Sequence, residues 1–218
     1  DGKSSRPTNP RASTLRVISP TSTFQLPATS RSNPTLIRCG MKNTTFWPTK
    51  EQAKRVAKSY RPDKNGELQQ VEVRFLAGGI SNRKRTPYPA GGLYSTAGDV
   101  ARFYQMMLSG GTFNGKRVLR QETAALMTRI QTGDIKTGFV EGMSWGLGFQ
   151  VVKKPMGVTE SLSAGTYGHG GAYATQSWAD PKQGIIVVMM IQRAGFPNGD
   201  NSPVRKGFQK AAKQQLGR

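Results

Sequence analysis

Apolar and polar residues follow two different periods along the chain, and these periods predict its helices and strands. The clearest helical stripe follows Ser95, a good N-cap, and ends at a pair of glycines. Thr49 and Gln52 match a capping box, which predicts a short helix that continues to Tyr60. The spacing of apolar residues predicts further helices over residues 121–130 and 207–216.

Strands are predicted where apolar residues alternate with polar ones, or run together, between turn signals. These strands cover residues 68–76, 145–152, 168–179 and 184–192. Asn114-Gly115 predicts a hairpin that joins residues 112–113 to 118–119. Residues 180–184 form a short connection, so the last two strands should pair antiparallel. Helices interspersed with consecutive antiparallel strands favour an α+β fold, an antiparallel sheet flanked by helices, over a parallel doubly wound fold.

The first forty residues differ in composition from the rest of the chain. Twenty of them are Ser, Thr, Pro or Asn, and the ten apolar ones show no helical or strand period. Such a segment buries too little apolar surface to offset its chain entropy. We therefore expect residues 1–39 to be a disordered or irregular segment and residues 40–218 to be the folded domain. A natural flexible arm would have the same composition.

Composition excludes several classes of protein. Cys39 is the only cysteine, so no intrachain disulfide forms. The longest apolar run has 7 residues, whereas a membrane-spanning helix needs about 20. One histidine and one cysteine leave no ligand set for zinc, so we expect no metal and no cofactor. Residues 1–16 have no apolar stretch, so the sequence predicts no export signal in this chain.

The formal net charge of +20 leaves a second class of function open. A basic protein of this kind would bind nucleic acid or another polyanion in a nonspecific, salt-sensitive way. The basic residues are spread along the whole chain and no recognition motif occurs, so we expect no specific nucleic-acid partner. Polyanion binding stays the alternative to an enzymatic function.

The single histidine, His169, has glycine neighbours on both sides. Glycine within a strand often marks a place where a ligand or another backbone comes close. The alternative is a polar histidine at the start of a strand beside a turn. Residue chemistry alone therefore makes His169 a candidate functional residue without assigning it a reaction.

Four stretches, in the same order, resemble the serine beta-lactamase family, in particular class C beta-lactamase-like esterases related to penicillin-binding proteins. They are residues 40–48 (GMKNTTFWP), 90–103 (AGGLYSTAGDVARF), 145–149 (WGLGF) and 168–172 (GHGGA), the last followed by Asp180-Pro181. The resemblance covers residues 40–192. It implies the C-terminal part of a beta-lactamase/transpeptidase-like fold, in a hydrolase whose substrate is a small-molecule ester or amide, beta-lactams included.

The resemblance also implies roles for residues. Family members attack a carbonyl with the serine of a Ser-x-x-Lys motif, and a Tyr-x-Asn motif helps to move the proton. His169-Gly170-Gly171 matches a third motif, which lines the edge strand of the sheet. The match implies that His169 orients the substrate and that the Ala172 amide is an oxyanion donor. Histidine in place of the lysine of beta-lactamases favours an ester or amide over a beta-lactam. The residues implied to line the substrate cleft are Gly91, Gly92 and Tyr94.

The other two motifs are not found where the family has them. No Tyr-x-Asn occurs, and the only Ser-x-x-Lys sequence is Ser81-x-x-Lys84, in a loop rich in Gly and Arg. We therefore expect this chain to be incomplete as an enzyme and inactive by itself. A noncatalytic relative that only binds is a further alternative. The family resemblance implies a periplasmic or secreted protein.

A shift of reading frame would explain the N-terminal segment. The family has Phe-Asp-Pro-Leu before Gly-Met, whereas this chain has Thr35 to Cys39 there. The codons ACT TTG ATC CGC TGC encode these residues, and from the third base they read TTT GAT CCG CTG, which encodes Phe-Asp-Pro-Leu. We hypothesise that the residues before about position 40 are an out-of-frame translation. The DNA tests this, because the shifted frame upstream must contain Tyr-x-Asn and Ser-x-x-Lys.

Overall fold

The computed structural model of the protein describes residues 34–73, 79–80, 82–86, 92–137, 140–196 and 199–216. Within these ranges the helices are α1 Pro34–Arg38, α2 Lys50–Ala53, α3 Ala97–Leu108, α4 Gln121–Thr128 and α5 Pro203–Leu216. The strands are β1 Ser59–Pro62, β2 Leu68–Val71, β3 Thr112–Phe113, β4 Lys116–Arg117, β5 Met143–Trp145, β6 Gln150–Val152, β7 Tyr167–Gly170, β8 Gln176–Asp180 and β9 Ile185–Met189. Short 3₁₀ helices occur at Gly157–Thr159 and Gly199–Asn201. The predicted α+β class is confirmed.

The centre of the fold is a five-stranded sheet in the order β5-β6-β7-β8-β9, in which every neighbouring pair is antiparallel. The predicted pairing of the last two strands is confirmed, because residues 180–184 connect β8 to β9 and Asp180 pairs with Ile185. The sheet therefore brings β7, which carries His169, into the middle of the fold.

Each face of this sheet packs against one long helix. On the α3 face, Tyr104 from the helix packs with Val151 and other sheet residues. On the α5 face, Phe208 from the helix packs against Trp178 and Val152. Val151 and Val152 are neighbours on β6 and lie on opposite faces, as the alternation of side chains along a strand requires. The strands are therefore buried on both faces, in two separate apolar clusters.

The predicted strand over residues 145–152 is in fact two strands. A turn at residues 146–149 separates β5 from β6, and Gly148 has a φ of +84° there, which favours glycine. A Cβ on Gly146 would lie 2.2 Å from the carbonyl oxygen of Met127, so this turn also needs glycine for its close packing against the end of α4. The sequence WGLGF is therefore a turn between strands.

The predicted strand over residues 168–179 is also two strands, β7 and β8. The Gly171 amide donates to the Thr175 carbonyl at 2.8 Å and closes the turn between them. Ala174 has a φ of +70° in this turn. Residues with a Cβ seldom adopt a positive φ, so an alanine at this position gives no sequence signal for the turn.

The helix predicted from Thr49 to Tyr60 is wrong in its second half. The capping box forms, since the Gln52 amide donates to the Thr49 hydroxyl at 3.1 Å and the Thr49 amide to the Gln52 side chain at 3.0 Å. However, α2 ends at Ala53, and Tyr60 lies in β1, which pairs with β2. The backbone of Tyr60 bonds to residues 192 and 194 as well as pairing with β2, so tertiary pairing overrides the local helical spacing.

Other predicted boundaries move by a few residues. Thr96 is the N-cap of α3 in place of Ser95, and its hydroxyl accepts from the Asp99 amide at 3.2 Å. The Asn114-Gly115 hairpin is confirmed, but it joins β3 to β4 rather than to residues 118–119. Helix α5 begins at Pro203, four residues before the prediction. The predicted strand 68–76 ends at residue 71, and residues 74–76 lie outside the described residues.

Residues 34–39 lie within the N-terminal segment that the sequence predicts to be irregular. Here Pro34–Arg38 forms α1, and the Cys39 side chain is fully buried in the cluster on the α3 face. Burial raises the pKa of the Cys39 thiol. Residues 1–33 lie outside the described residues. The out-of-frame origin of the segment stays a prediction that the DNA tests.

Candidate acyl-transfer site

The predicted site segment lies at the end of β7, where this strand extends past β6. Gly168 is the last residue of β7 that pairs with β6, whereas His169 and Gly170 still pair with β8. The family resemblance implies an edge strand for this motif. Since β7 is the third of five strands, that expectation is wrong for the strand as a whole. From His169 onward, however, β7 has no pairing with β6, so this short stretch has the free edge that the resemblance implies.

Alternation along β7 places His169 and its glycine neighbours on opposite faces of the sheet. Tyr167 packs in the cluster on the α3 face, so His169, two residues later, lies on the same face and is exposed. Gly168 and Gly170 lie on the α5 face, because the positions where their Cβ atoms would be are next to residues of that face. The imidazole therefore faces away from α5.

Packing within the chain already requires the three glycines around His169. A Cβ on Gly168 would lie 2.7 Å from the Trp178 ring, and a Cβ on Gly170 would lie 1.7 Å from Oδ1 of Asp200. A Cβ on Gly171 would lie 2.3 Å from the nearest hydroxyl oxygen. Non-bonded carbon contacts in proteins are near 3.5–4.0 Å, so these positions need glycine whether or not a ligand binds. The glycines alone therefore do not indicate a ligand.

The His169 imidazole is bonded at one nitrogen and open at the other. Its Nδ1 contacts the Gly170 carbonyl oxygen, and because a carbonyl only accepts, Nδ1 carries the proton in this bond. The Trp145 ring lies 5.2 Å from the imidazole, centroid to centroid. Within the described residues Nε2 has no hydrogen-bond partner, so this nitrogen can accept a proton or a hydrogen bond from a bound molecule.

Ser177 lies beside His169 as its cross-strand neighbour. The Tyr104 hydroxyl donates to the Ser177 carbonyl at 2.9 Å and lies 3.0 Å from its Oγ. The single tyrosine proton goes to the carbonyl, so the Ser177 hydroxyl is the donor in the second bond. Burial raises the pKa of Tyr104 to about 12, and the bond to Ser177 offsets only part of this. Neutral Tyr104 is a poor base at pH 7, so Ser177 is a structural hydroxyl.

The predicted oxyanion donor, the Ala172 amide, lies in the turn after β7. Gly171 on one side donates to the Thr175 carbonyl at 2.8 Å, and its own carbonyl accepts from the Ala174 amide at 2.9 Å. The Ala172 amide makes no hydrogen bond to another backbone group of the described chain, and the residue is exposed. The turn therefore holds an N–H group that is free to bind an acceptor.

The residues implied to line the substrate cleft are not joined to this segment by a direct contact. Gly91 lies outside the described residues, Gly92 is buried, and Tyr94 is partly buried. Among the described residues the Tyr94 hydroxyl has no hydrogen-bond partner. Burial raises the pKa of Tyr94, while Arg85, 5.8 Å from the ring centroid, lowers it. Among the described residues no hydrogen bond, ion pair or ring contact links Gly92 or Tyr94 to His169.

The first two stretches of the resemblance meet at a buried carboxylate, Asp99, which is 1% exposed. Its Oδ2 accepts from the Asn43 amide at 2.7 Å and from the Thr44 hydroxyl at 2.9 Å, and its Oδ1 accepts from Arg102 at 2.9 Å. Thr44 lies 55 residues earlier in the chain, so sequence spacing did not point to this pairing. Asp99 therefore holds the start of α3 against residues 43–44.

Features of other kinds add nothing to this site in the described chain. Within it, no group of three or more His, Cys, Asp or Glu side chains could hold a metal ion, and no helix is long and apolar enough to cross a membrane. An open concavity of about 480 Å³ lies between residues 133–137, residues 140–144 and Lys153, and none of the predicted site residues that the structure describes lines it. Ser81 lies outside the described residues, and Lys84 is exposed in an irregular loop.

Comparison with curated proteins finds a relative that matches most of the chain. An uncharacterized protein of Mycobacterium tuberculosis is 30% identical over 168 residues, which are 70% of this chain and 40% of that protein. The chain therefore spans less than half the length of this curated relative.

Solved structures agree in fold. A penicillin-binding protein homolog from Caulobacter crescentus aligns with a TM-score of 0.58 and 19% identity, over 79% of this chain and 48% of that one. EstCE1, described as a hydrolase with promiscuous acyltransferase activity, aligns with a TM-score of 0.54 and 22% identity, over 79% of this chain and 46% of that one. The model of the family described as Beta-lactamase matches residues 33–209, which is most of the chain. The chain belongs to the beta-lactamase family.

Proposed function

We propose that this chain carries the oxyanion and histidine side of an acyl-transfer site in a serine hydrolase that acts on a small-molecule ester or amide. The observation that carries the proposal is the end of β7. There an exposed imidazole with a nitrogen that has no partner among the described residues lies three residues before the Ala172 N–H, which has no backbone partner in the described chain. Membership of the beta-lactamase family supports the reaction class.

In the proposed reaction a serine hydroxyl attacks the carbonyl carbon of the substrate. The carbonyl oxygen becomes an oxyanion, which the Ala172 amide stabilises by hydrogen bonding. The bond from the carbonyl carbon to the alcohol oxygen or amine nitrogen then breaks, and the leaving group takes the proton that the serine released. Water cleaves the acyl-serine ester, which releases the carboxylic acid and restores the serine. His169 Nε2 orients the substrate by a hydrogen bond.

We propose further that the attacking serine is not among these 218 residues, so the chain does not turn over a substrate by itself. Ser177, beside His169, donates to a neutral tyrosine, and no hydrogen bond among the described residues joins its hydroxyl to the imidazole. Lys84 of the sequence Ser81-x-x-Lys84 lies in an irregular loop, whereas the motif needs its serine and lysine on one face of a helix.

Labelling with a fluorophosphonate tests the proposal, because this reagent modifies only activated serines. The 218-residue chain should give no adduct. The chain joined to a beta-lactamase-family segment that contains Ser-x-x-Lys and Tyr-x-Asn should label at the serine of that segment. In the joined protein, Ala172→Pro, which removes the N–H, should slow labelling about 100-fold, whereas Ala172→Gly keeps the N–H and should not.

Each other outcome contradicts a stated part of the proposal. If the 218-residue chain labels and Ser81→Ala or Ser177→Ala abolishes this, the nucleophile lies within the chain. If the joined protein folds and binds a fluorescent ester without labelling, the chain belongs to a noncatalytic binding relative. Equal rates for Ala172→Pro and Ala172→Gly would remove the oxyanion role of that amide.

A further inference from the structure

A buried hydrogen-bond network lies behind the His169 segment, on the α5 face of the sheet. The Trp178 indole N–H donates to Gln176 Oε1 at 2.8 Å, and Gln176 Nε2 donates to Asp200 Oδ1 at 3.1 Å. Gln176 and Trp178 are each 1% exposed. Because both ends of the buried amide are bonded, its orientation is fixed, and it directs its N–H group at the carboxylate.

Asp200 also contacts the site segment itself, at Gly170. Its Oδ1 lies 1.7 Å from the position that a Cβ on Gly170 would occupy. In glycine a hydrogen points in that direction, so the carboxylate oxygen faces the Cα–H bond and makes a weak Cα–H···O contact. Gln176, which bonds the same oxygen, is the cross-strand partner of Gly170. A single carboxylate oxygen therefore touches both strands where β7 ends.

Arg205 fixes the backbone of Asp200. Its guanidinium is fully buried, its Nη1 donates to the Asp200 carbonyl at 2.6 Å, and its Cζ lies 4.1 Å from the centroid of the Trp178 ring. Burial lowers the pKa of Arg205 to about 10, and the charge of Asp200 opposes this, so the side chain stays a cation at pH 7. The Ser202 hydroxyl accepts from the Arg205 amide at 3.2 Å and begins α5. The carboxylate is thus fixed from its backbone and from its side chain.

We propose that Asp200 is a positioning residue for the oxyanion donor. It holds Gly170 from the α5 face and so sets the direction of the Ala172 amide and of the His169 imidazole on the other side of the strand. The inference rests on the proposed function, because that function makes these two groups the ones whose direction matters. Asp200 itself does not touch a substrate bound beside His169, since it lies on the opposite face.

A double-mutant cycle tests the contact in the 218-residue chain. Gly170→Ala places a methyl group against Asp200 Oδ1 and should raise the unfolding equilibrium constant about 10- to 100-fold. In the Asp200→Ala background the two nearest carboxylate atoms are gone and only the Gln176 amide nitrogen, 2.6 Å away, stays close, so the same substitution should cost about tenfold less. Gly168→Ala is the matched control, because the nearest atom to its methyl group is the Ser177 backbone carbonyl oxygen, at 2.1 Å, and not Asp200, so its cost should change much less between the two backgrounds.

The cycle has two clear results. If Gly170→Ala alone does not fold, recovery of the folded protein in the double variant gives the same support as a measured coupling. If Gly170→Ala costs the same with and without the Asp200 carboxylate, the contact does not constrain the strand and the proposal is wrong.

Nuclear magnetic resonance tests the positioning itself, because His169 is the only histidine and gives one imidazole signal. Asp200→Ala should shift this signal and the amide signals of Gly170 and Ala172. Asp200→Asn keeps an oxygen for Gln176 and should restore them. Asp134→Ala removes an exposed carboxylate elsewhere and should leave them unchanged.

Unchanged signals in Asp200→Ala, or equal shifts in Asp134→Ala, would overturn the positioning role. Neither measurement depends on turnover. Failure of the joined protein to label would therefore count against the proposed function, while the cycle and the spectra would decide the role of Asp200 separately.

Discussion

Asp180 offers a quantitative test of the fold around the site. The residue is 3% exposed and is the last residue of β8, at the opposite end of that strand from the turn that follows His169. Its Oδ1 accepts from the amides of Lys182 and Gln183 at 3.0 Å each. Its Oδ2 accepts from the Ser163 amide at 2.8 Å and the Gln183 side chain at 2.7 Å. The carboxylate therefore closes the β8–β9 turn and fastens the loop before β7 to it.

The cost of removing this carboxylate follows from its partners. A hydrogen bond to a charged group contributes about 1.5–3 kcal/mol, and a buried donor left without a partner costs about 1–3 kcal/mol. The four bonds are not additive, so Asp180→Ala should lower the free energy of unfolding by about 3–5 kcal/mol. Asp180→Asn keeps the two bonds at Oδ1 but turns an NH₂ group towards two donors, so it should cost nearly as much.

Urea unfolding followed by tryptophan fluorescence measures this effect. With a denaturant slope of about 2 kcal/mol per molar, Asp180→Ala should lower the midpoint by about 2 M. Asp63→Ala is the matched control, since Asp63 also accepts two backbone amides and a glutamine side chain but is only partly buried in the β1–β2 turn. Its midpoint should change little. A small shift for Asp180→Ala, or equal shifts for both variants, would refute the reasoning.

The pH dependence has a definite sign. Burial raises the pKa of Asp180, but the hydrogen bonds from Ser163 and Gln183 outweigh this and lower it overall. The folded state therefore favours the carboxylate more than the unfolded chain does, whose pKa is about 3.9. The stability from this group is present above that value and is lost as the pH falls through the folded pKa. Asp180→Asn should lose less stability than wild type over the acid range.

Two further predictions concern Tyr104 and Gly168. Burial raises the pKa of Tyr104 to about 12, so the protonated tyrosine contributes about 3 kcal/mol to the free energy of unfolding below pH 10, and this contribution is lost as the pH rises to about 12. Between pH 9 and pH 12 the urea midpoint should therefore fall less in Tyr104→Phe than in the wild type. An equal fall in both proteins would contradict this. Gly168→Ala should cost about 3 kcal/mol and change the tryptophan emission, because its Cβ would lie 2.7 Å from the Trp178 ring. Gly98→Ala in α3, which meets nothing within 4 Å, should stabilise instead, and destabilisation of both variants by the same amount would show that local packing is not the cause.

The sequence predicted best those elements whose residues all point to the same structure. Helix α3 has an apolar stripe, an N-terminal cap and a glycine pair, and its prediction missed only the cap, Thr96 for Ser95. Ser95 also has a good capping side chain, but its hydroxyl lies 2.8 Å from that of Thr44, a contact between distant parts of the chain. The Asn114-Gly115 turn was predictable for the same reason, since both residues favour the positive φ angles that it has.

Elements defined by tertiary contacts were not predictable in this way. Tyr60 fits the spacing of a helix, but its backbone pairs with residues 192 and 194, which no local signal indicates. The turn between β7 and β8 contains Ala174 at a φ of +70°, where glycine would be expected. At the candidate site, the family resemblance indicated His169 and Ala172. Asp200 stayed hidden, because its contact is with a glycine, 30 residues earlier, that has no side chain to form a recognisable pair.

The glycines around His169 show why a sequence motif and a functional site are different claims. The sequence suggests that a ligand approaches the strand at these positions, yet the structure fills each of them with an atom of the chain itself, from Trp178, Thr175 or Asp200. The same close packing, however, fixes the backbone of the strand from the α5 face. A rigid strand is what an oxyanion donor requires, because a donor contributes most when its direction is set before the substrate binds. The glycines therefore bear on the proposed function through the rigidity that they allow at Ala172, and substitutions at these positions should affect the donor even though no ligand touches them.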